Sequence, residues 1–421
     1  MNTQIKKIFT PQTNNFLKTS FGNILEWYDF TIYGMFAISI AKAFFTTESK
    51  FVGLLLVFAT FAIGFLARPV GSVIFGFIGD KFGKFYAVNL SIWCMAIPTA
   101  LIGFLPTYAE IGIAAPLLLI ILRICQGLSA GGQFSGLIAI AAETNPKNKN
   151  LLVSSVYAIS VIGCFGASLV GWASVMISNA FHPIEDVTKS LAWRIPFILS
   201  FVFFLVYIKL NPEFTKEHTN DEDVEKYSIK TIFTKMPKQM TLMIALSAGQ
   251  TAIYYLIFTY LVTYFQLHLH INKDTAFLII NILFFASILL FPLFGFMADQ
   301  KGNRVNTVKS TSLLFVLGII VFSGGIIFNK IFGVIGAAIM AIAFCAIISY
   351  TTSFFAEIFP LKYRMTACSL SFNLGVTISG FAPMLAEIFL NISKYGLSIF
   401  LAVNVLLVLI SVIGIAKYIP E

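Results

Sequence analysis

The sequence predicts an all-α integral membrane protein with twelve transmembrane helices in two pseudo-symmetric six-helix halves. The first observation is composition: 58% of the 421 residues are hydrophobic and only 11% are charged, with a mean hydropathy of +0.88. A single soluble core does not bury this much apolar surface. The second observation is a series of apolar runs about 20 residues long. The third is a pair of polar motifs that occurs once in each half.

Twelve apolar runs are long enough to cross a bilayer, which requires about 20 predominantly apolar residues. They are predicted near residues 20–43, 52–79, 86–105, 113–142, 151–178, 192–210, 240–266, 276–298, 307–328, 331–356, 366–391 and 396–417. We number them spans 1 to 12. The predicted organisation is an N-terminal segment at 1–19, a half at 20–210, a polar linker at 211–239, a half at 240–417 and a short tail at 418–421.

Basic residues flank the predicted spans unequally. Nineteen Lys and Arg residues lie on the side that holds both termini and the linker, and seven lie on the other side. Because basic residues are enriched in cytoplasmic loops, both termini and the linker are predicted to be cytoplasmic, in a bacterial-type inner membrane. The asymmetry also accounts for the net charge of +9, so no nucleic-acid partner is expected.

Two polar motifs close corresponding spans in the two halves. The pattern Gly-x3-Asp-x2-Gly occurs at 76–83 after span 2 and at 295–302 after span 8. The pattern Glu-x2-Pro closes span 4 at 143–146 and span 10 at 357–360. Parallel six-span repeats of this kind are the architecture of one large class of transporters.

Span 1 carries two carboxylates in an otherwise apolar segment. On a helix, Asn23, Glu26, Asp29 and Tyr33 share one face. An ionised carboxylate that faces lipid costs at least about 3 kcal/mol, so this face is expected to line a protein or water-filled interior. Arg68 lies at a similar depth in span 2, and a contact with either carboxylate would lower the cost of both charges. Glu26, Asp29 and Arg68 are therefore the predicted proton-coupling residues, with a static ion pair as the alternative.

Five segments resemble a known family of membrane proteins. They read GNILEWYDFTIYG at 22–34, GFLARPVGSVIFGFIGDKFG at 64–83, LRICQGLSAGGQ at 122–133, WRIPF at 193–197 and AEIFPLKYR at 356–364. With the repeated motifs, they are similar to the major facilitator superfamily and, more narrowly, to its metabolite:proton symporter group. That group includes transporters of proline and betaine, 2-oxoglutarate, citrate and shikimate. The resemblance implies the major facilitator fold, a small-molecule substrate, protons as coupling ions and no cofactor.

Two positions depart from the usual pattern of this group. Gln133 stands where the group usually has a glutamate, and Asn150 stands where its first-half Glu-x6-Arg pair would place the arginine. The second-half pair of Glu357 and Arg364 is intact. These departures affect the predicted first-half gate and a membrane carboxylate that is often present in the group.

Span 4 contains a polar stripe of Arg123, Gln126 and Gln133. The resemblance places the arginine of this motif near the coupling site or the substrate. A guanidinium group can also donate two parallel hydrogen bonds to a carboxylate. A substrate-binding role is therefore predicted for the stripe, with a structural role as the alternative. The polar residues Gln250 and Asn373 are further candidates for hydrogen bonds to the substrate.

Aromatic residues in spans 1 and 7 are candidates for a cage around a quaternary ammonium group. With an aromatic content of 15%, core packing is the favoured interpretation for most of them. The predicted substrate site includes Trp27, Tyr33 and Tyr254, and the wider set also contains Tyr28, Tyr255 and Tyr260.

Charged residues in the predicted inner loops are candidates for a cytoplasmic gate. These residues are Asp80, Lys84, Glu143, Asp299, Arg304, Glu357 and Arg364. Exposed salt bridges are individually weak, so their value would lie in favouring one conformational state. The alternative is that they serve only to orient the chain in the membrane.

Neither a metal centre nor an enzymatic site is predicted. His268 and His270 are two residues apart, a spacing that directs the side chains away from each other on a helix, and the five cysteines show no CxxC spacing. No histidine lies deep in a span to act as a base.

The predicted function is secondary active transport, with proton-coupled symport of a small zwitterionic osmolyte such as proline or betaine by alternating access. A dicarboxylate such as 2-oxoglutarate is the alternative substrate, because Arg68 and Arg123 fit an anion equally well. An exporter is an alternative in direction, and a non-transporting membrane receptor on the same fold is an alternative of a different class. The expected partners are the substrate, protons and the lipid bilayer, and the chain is expected to function as a monomer.

Overall fold

The computed structural model describes residues 11–45, 50–181, 191–210, 233–300, 303–360 and 364–419. Within these residues the regular structure is helical, with no β-strand. The predicted all-α class is therefore confirmed.

The helices of the first predicted half follow the apolar runs, with several breaks. In chain order they are Pro11–Ser20, Asn23–Met35, Ala37–Phe44, Lys50–Phe82, Lys84–Phe104, Tyr108–Ile111, Ala114–Thr144, the 3-10 turn Pro146–Asn148, Lys149–Phe181 and Leu191–Leu210.

The helices of the second predicted half are interrupted in spans 7, 10 and 11. In chain order they are Pro237–Tyr255, the π-helical turn Leu256–Tyr260, Leu261–Leu267, Lys273–Gln300, Arg304–Ile327, Lys330–Thr351, Phe354–Glu357, Arg364–Ser379, Ala382–Ile392 and Gly396–Ile415. The break in span 11 comes directly before Pro383, which lies in the first turn of the helix that follows. Proline is tolerated there because a first-turn amide has no partner within the helix.

Eleven helices in the described part of the chain are long and apolar enough to cross a membrane, and they correspond to spans 2 to 12. Span 1 is not among them because it is divided at Phe36 into Asn23–Met35 and Ala37–Phe44. Neither piece alone reaches the length of about 20 residues that a bilayer requires. Both pieces bury most of their side chains against protein.

The chain forms two compact units. Unit 1 comprises the described residues within 1–16, 135–158 and 220–421, and unit 2 comprises those within 17–134 and 159–219. The end of span 4 and the start of span 5 thus belong to unit 1, together with spans 7 to 12.

The WRIPF segment at 193–197 connects span 6 to spans 1 and 3 in unit 2 through hydrogen bonds. Tyr28 of span 1 donates a hydrogen bond from Oη to the carbonyl oxygen of Pro196 at 2.9 Å. Arg194 Nη1 donates to the carbonyl oxygen of Leu105 at 2.6 Å. The second contact satisfies a carbonyl group just beyond the end of span 3, where no later helical amide is available.

Glycines allow spans 2 and 4 to approach closely in unit 2. A Cβ atom added at Gly127 would lie 1.9 Å from the carbonyl oxygen of Gly64. One added at Gly131 would lie 2.2 Å from the carbonyl oxygen of Arg68. Small residues permit this backbone contact between membrane helices. The close approach fixes the positions of Arg68 and Arg123, which the two spans carry.

Gly127→Ala is expected to destabilise the protein because the added methyl group must displace the span 2 backbone, at a cost of about 1 to 3 kcal/mol. The measurement is the thermal unfolding midpoint of the purified protein in detergent. Gly166→Ala is the matched control, since a Cβ atom there meets no atom within 4 Å. Equal midpoints for the two variants would contradict the close packing of spans 2 and 4.

Candidate functional site

A buried ion pair joins spans 1 and 2. Arg68 Nη2 lies 2.7 Å from Glu26 Oε1, and the two side chains are only 1% and 0% exposed. The Arg68 guanidinium carbon also lies over the rings of Phe30 and Phe65, 4.7 and 4.9 Å from the ring centroids. The other carboxylate oxygen of Glu26 is buried without a hydrogen-bond partner in the described structure. The charge of Glu26 is thus balanced through one of its two oxygens.

A second buried ion pair joins spans 1 and 4. Arg123 Nη1 lies 2.8 Å from Asp29 Oδ2, and the Arg123 guanidinium carbon lies 3.6 Å from the centroid of the Tyr33 ring. Gln126 Nε2 donates to Asp29 Oδ1 at 2.9 Å and to Thr99 Oγ1 of span 3 at 2.8 Å. Both oxygens of Asp29 are therefore engaged, one by a charged donor and one by an amide.

The structure combines two predicted groups of residues into one cluster. The sequence predicts a contact of Arg68 with either carboxylate, and Arg68 contacts Glu26. Asp29 contacts Arg123, a pairing that the sequence does not predict. Glu26 and Asp29 are three residues apart on one helical face. The predicted coupling residues and the arginine of the predicted substrate stripe consequently meet in unit 2.

Several polar atoms of this cluster are buried without a hydrogen-bond partner among the described residues. They are Nε and Nη2 of Arg123, Nε of Arg68 and Oε1 of Gln126. Buried polar atoms are normally hydrogen-bonded, and guanidinium N–H groups that remain unpaired can donate to an anionic ligand. The cluster has donors left for a carboxylate.

Gln133 and Trp27 are further buried side chains of unit 2. Gln133 is only 1% exposed, and neither its amide nitrogen nor its amide oxygen has a hydrogen-bond partner in the described part of the chain. Trp27 packs edge-to-face on Phe134, with the ring centroids 6.0 Å apart. The ring contact agrees with the core-packing interpretation of Trp27. The amide of Gln133 retains one donor group and one acceptor atom that no described residue binds.

The remaining predicted substrate residues lie in unit 1 and form contacts within it. Gln250 Nε2 donates to Thr351 Oγ1 at 2.6 Å, and Asn373 Nδ2 donates to the carbonyl oxygen of Ser369 at 2.8 Å. The ring of Tyr254 packs against several aromatic neighbours, the nearest being Phe258 at 5.1 Å between centroids.

Asp299, a predicted gate residue, binds the start of the span 5 helix within unit 1. Its Oδ1 accepts hydrogen bonds from the backbone nitrogen and the Nδ2 atom of Asn150, at 3.0 and 2.8 Å. Its Oδ2 accepts from the backbone nitrogen of Leu151 at 2.9 Å. A carboxylate at a helix N-terminus satisfies free amide groups and interacts favourably with the helix dipole.

Glu357 links three segments of unit 1. Arg304 donates to it from both terminal nitrogens, at 2.8 and 2.7 Å, and Lys149 Nζ lies 2.9 Å from Glu357 Oε1. Arg304 also donates to Ser353 Oγ at 2.9 Å. Arg304 therefore bonds to Glu357 through both terminal nitrogens. Lys149 supplies a basic group next to Asn150, the position where the usual arginine is replaced.

The remaining predicted gate residues are Asp80, Lys84, Glu143 and Arg364. Glu143 is exposed at the end of the span 4 helix. The side chains of Asp80, Lys84 and Arg364 lie outside the part of the chain that the structure describes.

One ionisable residue that the sequence reasoning missed is Glu387 in span 11. Tyr260 Oη donates a hydrogen bond to Glu387 Oε1 at 2.6 Å, within unit 1. The signal that could have revealed Glu387 is the one that identified Glu26, namely a carboxylate within an apolar span.

Comparisons with known proteins agree with this architecture. The model of the family described as Major Facilitator Superfamily matches residues 19–382. A solved structure of a proton:xylose symporter bound to 6-bromo-6-deoxy-D-glucose has a TM-score of 0.77, and the match covers 96% of this chain and 95% of that chain. At 15% identity, this likeness establishes the fold and confirms the predicted twelve-helix arrangement.

Curated relatives match most of the chain. The Proline/betaine transporter of Salmonella typhimurium is 31% identical over 388 residues, which are 87% of this chain and 75% of the relative. The Shikimate transporter of Escherichia coli is 30% identical over 377 residues, covering 87% of this chain and 85% of the relative.

Asp29→Asn and Arg123→Gln are each expected to destabilise the protein, because each leaves one buried charge without its partner. The double variant is expected to lose less than the sum, with a coupling energy of about 1 to 3 kcal/mol. The measurement is the free energy of unfolding in detergent micelles. Asp29→Asn combined with Arg194→Gln is the control, since the described hydrogen bonds of Arg194 go to the carbonyl oxygens of Gly103 and Leu105. Additive losses in both cycles would contradict the pairing.

Asp299→Ala is expected to accelerate hydrogen exchange at the backbone amides of Asn150 and Leu151 about fivefold, since the variant removes their acceptor at the helix start. Exchange is followed by mass spectrometry. Glu143→Ala, a change of an exposed residue, serves as the control and should leave these amides unchanged. Equal protection in both variants would exclude Asp299 as the cap of this helix.

Proposed function

The chain belongs to the major facilitator superfamily, and from this premise we propose that it is a proton-coupled symporter that imports a small zwitterionic osmolyte such as proline or betaine by alternating access. That the protein is a multi-pass membrane transporter and not an enzyme follows from its family. The substrate, the proton coupling and the roles of individual residues are the proposal.

The observation that carries the proposal is the sharing of Asp29 between Arg123 and Gln126 in a fully buried cluster. Arg123 has two unpaired nitrogens, so a substrate carboxylate can bind the same guanidinium group. Such a ligand would compete with Asp29 for the positive charge. Asp29 would then take up a proton, because an unpaired carboxylate inside the membrane is costly. Substrate binding and proton binding are linked in this scheme through Arg123.

Glu26 and Arg68 form the second part of the proposed coupling site. Their ion pair lies beside the first one, and either carboxylate is a candidate for the transported proton. Gln126 and Tyr33 position Asp29 and Arg123 from two sides. Gln133, with its unpaired amide, is a candidate for a further hydrogen bond to the substrate. Gln250, Tyr254, Asn373 and Trp27 are kept as candidates for substrate contacts.

The substrate class is supported by the relatives and by the arginine. A relative named Proline/betaine transporter is 31% identical, and one named Shikimate transporter is 30% identical; each name denotes a compound with a carboxylate, which suits Arg123. A dicarboxylate such as 2-oxoglutarate is the second candidate substrate. The observation that favours it is the second buried guanidinium, Arg68, whose Nε is unpaired.

The network around Glu357 and Asp299 is the proposed cytoplasmic gate. Half-buried ion pairs of this kind are modest in energy individually, so we assign them the role of favouring the conformation in which they form. Alternating access would proceed through movement of the six-helix halves 20–210 and 240–417. We place both termini and the linker 211–239 in the cytoplasm, in a bacterial inner membrane, and the functional unit is the monomer.

Uptake into proteoliposomes tests the proposal. Labelled proline, betaine and 2-oxoglutarate are supplied with an inward proton gradient, and the gradient is then removed with a protonophore. Accumulation of proline or betaine that the protonophore abolishes is the expected result. Accumulation of 2-oxoglutarate alone would establish the second candidate, net extrusion would indicate an exporter, and binding without flux would indicate a receptor.

Asp29→Asn is expected to abolish proton-driven accumulation and to leave exchange of substrate between the two sides, because the amide cannot carry the proton. Glu26→Gln is the matched variant in the neighbouring ion pair. Full accumulation in Asp29→Asn together with loss in Glu26→Gln would transfer the coupling role to Glu26. Full accumulation in both would contradict the proposed site.

A further inference from the structure

The two buried carboxylates of span 1 accept hydrogen bonds in different ways. Asp29 uses both oxygens, since Oδ2 accepts from Arg123 and Oδ1 accepts from Gln126. Glu26 uses only Oε1, which accepts from Arg68 Nη2 at 2.7 Å. Its Oε2 atom is buried without a hydrogen-bond partner among the described residues. Each hydrogen bond to a carboxylate favours the charged form, so the charge of Asp29 is supported more fully than the charge of Glu26.

A proton can bind Glu26 without breaking a described hydrogen bond. An O–H bond can form at Oε2 with a proton from solvent, while Oε1 continues to accept from Arg68. At Asp29 a proton would add to an oxygen that already accepts from Arg123 or Gln126. In the proposed transport scheme Asp29 takes its proton when the substrate draws Arg123 away. Glu26 needs no such displacement.

Aromatic rings hold the guanidinium group of Arg68 in addition to Glu26. The guanidinium carbon lies 4.7 Å from the centroid of the Phe30 ring and 4.9 Å from that of Phe65. Both rings are buried, and their centroids are 5.2 Å apart. Attraction between a cation and an aromatic face is strongest where water is excluded. Arg68 therefore keeps partners for its positive charge when Glu26 is neutral.

A proton on Glu26 changes the net charge of the cluster. The carboxylates of Glu26 and Asp29 balance the guanidinium groups of Arg68 and Arg123, so one added proton leaves one positive charge in excess. The ionisable groups that act on Glu26 in the described structure are Arg68 from span 2 and Asp29 from its own helix. A net positive cluster attracts a carboxylate that approaches Arg123.

We propose that Glu26 is a second protonation site, which takes up a proton in the absence of substrate and thereby favours the binding of a substrate carboxylate at Arg123. The inference rests on the proposed transport function and assigns its two carboxylates to two successive steps. Glu26 binds the first proton, at Oε2. Asp29 binds the second proton when the substrate occupies Arg123. The substrate-loaded cluster then holds two protons.

Infrared spectroscopy of the purified, substrate-free protein detects the carbonyl stretch of a protonated buried carboxyl group. We expect wild type to show this band as the pH is lowered, and we expect Glu26→Gln to lack it. Glu387→Gln is the matched control, because Glu387 also lies in an apolar helix and accepts a hydrogen bond, from Tyr260. The control should keep the band that Glu26→Gln loses. Absence of the band from wild type, or its persistence in Glu26→Gln, would overturn the inference.

Isotope labelling keeps the test independent of the folding of Glu26→Gln. Glutamate or aspartate carries a heavy carbon isotope in its side-chain carboxyl group, which lowers the frequency of the band of that residue type. In wild type and in Glu387→Gln, the band should shift with labelled glutamate and not with labelled aspartate. Asp29→Asn should retain the band, at a lower pH, because the loss of a neighbouring negative charge favours the charged form of Glu26. A band that shifts only with labelled aspartate would place the first proton on Asp29 and contradict the inference.

Substrate affinity tests the second half of the proposal. Glu26→Gln carries a neutral group at every pH. At a pH at which wild type shows no band, this variant should bind proline or betaine about tenfold more tightly than wild type, because its cluster has an excess positive charge. Glu387→Gln should bind as wild type does. Equal affinities of wild type and Glu26→Gln at that pH would overturn the inference.

Failure of this inference is distinguishable from failure of the proposed function, because the infrared measurement requires no substrate. If wild type accumulates proline, betaine or 2-oxoglutarate and the infrared band does not belong to Glu26, only this inference fails. If none of the three compounds accumulates or exchanges, the proposed function fails. The infrared result alone then decides whether Glu26 binds a proton.

Discussion

The need to bury two carboxylates of span 1 without exposing their charges to lipid constrains the structure of unit 2. An isolated charge in the membrane is costly, and removing one partner from a buried pair leaves that cost uncompensated. Spans 2 and 4 must therefore present Arg68 and Arg123 at the depth of Glu26 and Asp29. Glycine contacts between these two spans make the approach possible. The same pairs hold the groups that the proposed coupling mechanism separates and re-forms.

The fold was largely predictable from the sequence, because the lengths of the apolar runs indicate the spans and the repeated motifs indicate the two halves. Both features can be read without knowing how the helices pack. The helix breaks at Phe36 and within span 7 were not predicted, since the hydropathy pattern continues through them. The existence of buried ion pairs was predictable from intramembrane charges. Which arginine binds which carboxylate was not, because partner choice depends on how each helix is rotated in the packed unit. Asp29 accordingly contacts Arg123, although depth alone indicated Arg68.

The departures from the family pattern have local physical explanations. Asn150 lacks the positive charge of the usual arginine, yet its amide and backbone nitrogens both bind Asp299. Lys149, one position earlier, supplies the cation that contacts Glu357. The cation that contacts Glu357 thus lies one residue before Asn150. Gln133 replaces a glutamate without acquiring a hydrogen-bond partner in the described structure, which fits a side chain that is available to the substrate.

The central claim is that substrate and Asp29 compete for Arg123, so that binding of the substrate draws a proton onto the protein. Calorimetry of proline or betaine binding, repeated in buffers of different ionisation enthalpy, counts the protons exchanged on binding. The account predicts net proton uptake by wild type that disappears in Asp29→Asn while binding persists. Tight binding with no proton uptake by wild type would contradict it.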